Sequence, residues 1–278
     1  MNTDIKLVAL DLDRTTLNSE SHLSEVNRQA LIDAISNGVH VCIASGRAFD
    51  TLPEDIISVS GIEYAITSNG AAIYRITGKE CLKSYLLTPS SVKTILNLTA
   101  NDTVTYEAFI KGQAFASTEY TAHPEKYSAT EHSLNYVKKT RILKDDIVSF
   151  ILEHCHELDS LDIVVGDEEL KKNIMDRIRK ATDEVYMTSS ISQLLEISYK
   201  DAGKKSGVKF LTEYLGLSRE NVAAFGDADN DTDMIEYAGT GIAMENAAPH
   251  LKEIADHITL HHDKDGVAYA FRNILNIC

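Results

Sequence analysis

Four short stretches of the chain carry side chains suited to one chemistry. The apolar run Leu7 to Leu10 opens into Asp11-Leu12-Asp13-Arg14-Thr15. Val39 to Ala44 opens into Ser45-Gly46-Arg47, and Gly203 leads into Lys204-Lys205. Asn221 to Phe225 opens into Gly226-Asp227-Ala228-Asp229-Asn230-Asp231. Carboxylates without His or Cys neighbours are hard oxygen donors and suit Mg²⁺. A hydroxyl beside a glycine loop, and an ammonium, suit a phosphate. A carboxylate nucleophile, an acid/base, a hard cation and phosphate donors are together what phosphoryl transfer needs. Taken singly, an Asp-x-Asp pair can equally be a solvated strand exit.

The elements around these stretches bring them together. In extended chain, residues i and i+2 point to one side, so Asp11 and Asp13 can share a site. Short apolar runs bounded by polar loops read as buried parallel strands. Open α/β sheets hold their ligands at the C-terminal ends of such strands. Ser24 to Ile35 reads as a helix with Ser24 at its start and Gly38 past its end, making a right-handed βαβ unit that sets Ser45 beside Asp11. A second helix is expected over 48–60, then a strand at Ala65-Ile66-Thr67 and a hairpin around Gly78. Past Leu87-Thr88-Pro89 the pattern changes to hairpins and amphipathic helices, with no readable element in 118–143. The first pattern returns with a helix from Lys204. The expected architecture is α/β: a Rossmann-like parallel-sheet core from 1–86 and 191–278, with an α+β module inserted at 87–190.

A chain of 278 residues with a net charge of −15 repels nucleic acid and anionic membranes. An anionic substrate then needs a bound cation or local Lys and Arg. The four cysteines are scattered without a Cys-x-x-Cys, which fits reduced thiols and a cytoplasmic setting. No apolar stretch reaches the roughly 18 residues of a membrane span, and no signal peptide is predicted.

The order and residues of the four stretches resemble the motifs of the haloacid dehalogenase superfamily, and most closely its Cof-type phosphatases with a large inserted cap. Ser68-Asn69-Gly70-Ala71, Gly241 to Ala247 and Asp265-Gly266-Val267-Ala268 add to the likeness. The resemblance implies that Asp11 is a nucleophile forming an aspartyl-phosphate and that Asp13 is the acid/base. It implies Mg²⁺ held by the Asp11 carboxylate, the Asp13 carbonyl and Asp227, with Asp231 near by. It assigns the phosphoryl group to Leu12 N–H, Ser45, Gly46, Lys204 and Asn230. The implied activity is a Mg²⁺-dependent phosphatase acting on a small-molecule ester, a sugar phosphate, nucleotide or cofactor phosphate. A phosphomutase of the same superfamily and a non-catalytic phosphometabolite sensor are the rival readings.

Three positions depart from the family pattern, one of them Thr16, where leucine is common. Arg14 stands where glycine is usual, and could crowd the loop or face the leaving group. Lys205 also replaces a common glycine, so Lys204 or Lys205 could be the phosphate lysine, with the helix register favouring Lys204. Arg47 could contact substrate or cap the next segment. Asn69 fits a turn better than a pocket wall, Asn246 reads as a helix cap, and His261-His262 as a solvated loop. His154-Cys155-His156 has no partner pair at metal-binding spacing.

Overall fold

The apolar runs become the inner strands of a parallel sheet. Leu7–Leu10 and Val222–Gly226 are buried along their whole length, and His40–Ala44 at all but its first residue. Burial on both faces is what a parallel sheet flanked by helices requires. Each large side chain so buried, such as Leu10, Ile43 or Phe225, contributes roughly 1.5–3 kcal/mol of transfer free energy. The computed structural model describes residues 4–278 and divides into two units, each with its own sheet.

The first unit comprises the chain up to Arg47, Leu52–Lys83 and Gly203–Cys278. Its eight strands run in the order His257–Ile258, Thr240–Ala243, Val222–Gly226, Leu7–Leu10, His40–Ala44, Ile62–Thr67, Ala72–Arg75, Glu80–Ser84. The first six are parallel, and Ala72–Arg75 turns back antiparallel on Ile62–Thr67. Leu10 pairs in register with Phe225 on one side and Ile43 on the other. Asp11, Gly226 and Ser45 therefore leave the sheet at one edge. Helix Glu25–Ser36 makes the first crossover; Ser24 Oγ accepts the Asn27 N–H at its start, and Gly38 at φ +83° closes it.

The second unit comprises Ala48–Thr51 and Ser84–Ala202. Its six strands run Val185–Thr188, Leu194–Tyr199, Leu158–Val164, Thr105–Ile110, Gln113–Ser117, Ile142–Lys144. All pairs are antiparallel except the last, which is parallel. Helices Pro89–Thr99, Ile147–Glu153 and Glu168–Ala181 pack Ile95, Ile151 and Ile178 against Tyr106, Leu161 and Ile197. Asp167 caps the last of these helices, its Oδ1 accepting the Leu170 N–H.

Three local expectations change. The 48–60 helix is a 3₁₀ turn, Phe49–Thr51, and a short helix, Glu54–Ile57. Pro53 separates them, because the residue before a proline is pushed out of the helical region. The 118–143 stretch holds helices Thr118–Ala122 and Glu131–Thr140, a 3₁₀ turn between them and strand Ile142–Lys144. Their starts are marked by Ser117 and Thr130, whose hydroxyls accept the Glu119 and Ser133 N–H groups. The inserted module extends past 190 to Ala202, because Leu194–Tyr199 pairs with Leu158–Val164 inside the second sheet. All four cysteines are free, and burial pushes the Cys42 thiol up to about 12. Among the described residues no helix is long and apolar enough to cross a membrane.

Candidate active site

Asp11 lies one residue beyond its strand, with its N–H donating to Phe225 O at 3.1 Å. The next five residues, Leu12–Thr16, make a wide turn closed by Leu17 N–H to Leu12 O at 2.9 Å. Thr16 Oγ1 donates to Asp11 O at 2.6 Å and pins the turn's start. Within it Arg14 takes φ 61° and ψ 15°. That left-handed backbone costs a residue with a Cβ roughly 1–2 kcal/mol and explains why glycine suits the position.

Gly226-Asp227 to Asp231 folds over this turn. Asp231 is fully buried: Oδ2 accepts the N–H groups of Asp227 and Ala228 at 2.9 and 3.0 Å, and Oδ1 accepts Lys204 Nζ at 2.6 Å. A Cβ on Gly226 would stand 2.4 Å from the Asp231 Cβ, so glycine is needed for that approach. Lys204 is fully buried at the first turn of helix Lys204–Tyr214 and also donates to Asp11 Oδ1 at 2.7 Å. Lys205 is exposed, so the structure places Lys204 and not its neighbour at the centre. Gly70 at φ +89° lets the Ser68-Asn69-Gly70 turn sit against the Gly203 backbone, where a Cβ would stand 1.9 Å from Gly203 O.

One carboxylate oxygen from each of Asp11, Asp227 and Asp231 lies within 4.8 Å of the others. Burial raises Asp11 well above the ordinary range, and Asp231 adds to that against the pull of Lys204. Burial and then Asp231 raise Asp227 to about 7, opposed by Arg14 and Lys204. Burial alone would lower Lys204, but Asp11 and Asp231 hold its ammonium above the usual range. The three acids are thus short of positive charge, and their oxygens are hard donors, a set that fits Mg²⁺. Asp11 Oδ2 makes no hydrogen bond among the described residues, since Oδ1 takes the lysine.

Asp13 lies outside this group. Its carboxylate is exposed and held bidentately by Arg47, with Nε donating to Oδ2 at 2.9 Å and the terminal nitrogen to Oδ1 at 2.6 Å. Arg47 thereby restrains Asp13. Ser45 is buried beside it, Oγ accepting the Arg47 N–H at 3.2 Å, and Gly46 is half-buried between them. Leu12 buries its side chain and begins the turn with its amide. Asn230 is buried and donates to Asn69 Oδ1 at 3.0 Å, so Asn69 steadies Asn230 as well as its own turn.

Sequence reasoning missed three supports. Asn246 is no helix cap: the helix starts at Pro249, and Asn246 Nδ2 donates to Arg14 O at 2.8 Å and lies 3.4 Å from Asp227 Oδ2. Thr15 Oγ1 donates to Asp227 Oδ1 at 3.2 Å. His262 is buried and not solvated; its N–H donates to Asn246 Oδ1 at 3.1 Å and its ring meets Ser19 Oγ at 3.1 Å. The Gly241 to Ala247 likeness was the one sequence signal for Asn246.

A family profile described as haloacid dehalogenase-like hydrolase matches residues 8–271. The chain is 29% identical over 274 residues to 5-amino-6-(5-phospho-D-ribitylamino)uracil phosphatase YcsE of Bacillus subtilis, covering 98% of this chain and 96% of that protein. It is 31% identical over 290 residues to phosphatase YwpJ of the same organism, covering 98% and 100%. A solved haloacid dehalogenase-like hydrolase from B. subtilis superposes with a TM-score of 0.83 at 27% identity, over 98% of this chain and 100% of that one.

Proposed function

The chain belongs to the haloacid dehalogenase-like hydrolase family, and on that premise we propose how its first unit acts as a phosphatase. The proposed reaction is Mg²⁺-dependent hydrolysis of a small phosphorylated metabolite through an aspartyl-phosphate. The observation that carries it is the buried trio Asp11, Asp227 and Asp231 around one Lys204, with Asp11 Oδ2 left open. Asp11 and Asp227, with the Asp13 carbonyl, would hold Mg²⁺, and Asp231 fixes the loop that presents Asp227. The ion would neutralise the charge that the transferring phosphoryl group brings to an acidic protein.

Asp11 Oδ2 attacks phosphorus, forming the acyl-phosphate bond while the ester P–O bond breaks. With one of its two bonds to Arg47 released, the Asp13 carboxylate takes up a proton from solvent and gives it to the leaving oxygen. The Asp13 carboxylate then takes a proton from water, whose oxygen attacks phosphorus; the acyl-phosphate bond breaks and Asp11 returns as a carboxylate. Ser45, the Leu12 and Gly46 amides, Lys204 and Asn230 support the phosphoryl oxygens. The candidate substrates are sugar phosphates, nucleotides and cofactor phosphates, with a phosphorylated ribityl compound in the panel because YcsE is named for one.

The test is hydrolysis of an aryl phosphate with Mg²⁺ and with chelator, followed by the substrate panel. Activity should need the divalent ion and vanish in Asp11→Asn. Full activity in chelator, or in Asp11→Asn, would refute the reading.

A further inference from the structure

Arg14 combines three features that no role assigned above uses. Its backbone is held in the left-handed region, at φ 61°. Its carbonyl is fixed by Asn246 Nδ2 at 2.8 Å, and Asn246 is fixed in turn by the His262 N–H. Its side chain is 64% exposed, yet Nε stands 3.8 Å from Asp227 Oδ2, which is nearly buried. A long, exposed guanidinium with water available on most sides has been brought to one inward-facing carboxylate. The distance is too long for a hydrogen bond but short enough for an ion-pair attraction, partly screened by water on the Arg14 side.

Asp227 Oδ2 has no closer cation among the described residues, because Lys204 is spent on Asp11 and Asp231. A divalent ion bound between Asp11 and Asp227 would meet the Arg14 charge at close range. Two cations drawn to one carboxylate repel, so occupancy by one weakens the other.

We propose that Arg14 is a tethered counter-ion of Asp227 that competes with the divalent cation and so sets the metal affinity of the site. Arg14 is then a positioning residue, acting through Asp227. The inference rests on the metal reading above. In the metal-free protein Arg14 holds Asp227 in place; when the ion arrives, the guanidinium swings away on its exposed stem. An ordinary glycine at this position would leave the carboxylate to the metal alone.

The test is calorimetric titration of metal-free protein with MgCl₂ for the parent, Arg14→Ala, Arg14→Gly and Arg14→Lys, with Asp227→Asn as control. Ala removes the charge and keeps the strained Cβ; Gly removes both; Lys keeps the charge. Ala and Gly should each bind Mg²⁺ roughly three- to tenfold more tightly than the parent, and Lys should stay near the parent. Melting in chelator should show Arg14→Ala losing stability relative to the parent and gaining more from added Mg²⁺. Equal affinity in parent and Arg14→Ala would overturn the proposal. So would tightening in Gly without tightening in Ala, since that isolates backbone strain. If neither the parent nor any Arg14 variant binds Mg²⁺, the metal reading fails and this inference falls with it. If the parent binds and Asp227→Asn does not, the metal reading stands and the Arg14 variants decide the rest.

Discussion

Among the described residues, each unit of the protein holds a cluster of three buried carboxylates around one cation, and the two clusters are built in opposite ways. In the first unit Asp11, Asp227 and Asp231 sit on loops beyond the ends of parallel strands, around Lys204. In the second, Glu107, Asp162 and Glu196 sit within strands, and Asp162 pairs in register with both of the others. Register neighbours of this kind project side by side on one face of the sheet. Arg141 Nε donates to Glu107 Oε2 at 2.7 Å and lies over the rings of Phe109 and Tyr136. Asp162 accepts the Ser160 hydroxyl, and Glu196 the Ser190 N–H. Burial, then Glu196 and Glu107, raise Asp162 well above the ordinary range against the pull of Arg141, whose guanidinium answers part of the charge. Glu107, Asp162 and Glu196 each find a partner within the second unit. The loop-borne set leaves Asp11 Oδ2 open and remains short of positive charge, which is what the proposed metal binding and attack on phosphorus would require.

The sharpest way to break this contrast is to neutralise one acid in each set. Asp11→Asn should lower aryl phosphate hydrolysis by about a thousandfold or more. Asp162→Asn should leave the Mg²⁺ requirement intact. Loss of the Mg²⁺ requirement in Asp162→Asn would erase the distinction.

Next in size is removal of the cation. Arg141→Met leaves Glu107 buried without its partner and should cost about 3–5 kcal/mol in urea unfolding. Lys204→Met should cost a similar amount in chelator, but added Mg²⁺ should recover part of it by supplying charge to Asp11. If Mg²⁺ rescues the Arg141 variant equally, the open and closed sets do not differ.

Gly226→Ala forces a Cβ against Asp231 and should cost about 1–3 kcal/mol while weakening Mg²⁺ binding, read by unfolding and calorimetry. The smallest effect is a pH slope. The folded Asp162 holds its proton above the unfolded value of 3.8, so its stabilising contribution is complete below that pH and is lost as pH rises toward its folded value. Asp162→Asn should flatten the fall in stability above about pH 4, measured by denaturant midpoint across pH.

The same contrast explains what the sequence disclosed. Asp11, Ser45 and Asp227 each follow an apolar run, and parallel strands put the ends of such runs on one edge, so local pattern was enough. Glu107 and Glu196 are the single acids of their strands and Asp162 one of two in its own, and their meeting depends on strand register between distant segments, which no local pattern encodes. Arg47 was visible as a cation near the site, but its bidentate grip on Asp13 depends on the shape of the turn after Leu12. Asn246 was masked by its place just before a short helix, and His262 by a polar sequence context that the fold buries. Arg14 was legible as a departure, but its left-handed backbone and its reach to Asp227 are visible only in three dimensions.

The central claim is that Asp11 is phosphorylated during turnover. Acid quench during hydrolysis of a reactive phosphate ester, followed by borohydride reduction and peptide mass spectrometry, reads this directly. An acyl-phosphate on Asp11 would be recovered as homoserine at that position, and the signal should disappear in chelator. Steady turnover with residue 11 recovered unmodified, or with the label on another side chain, would contradict the account.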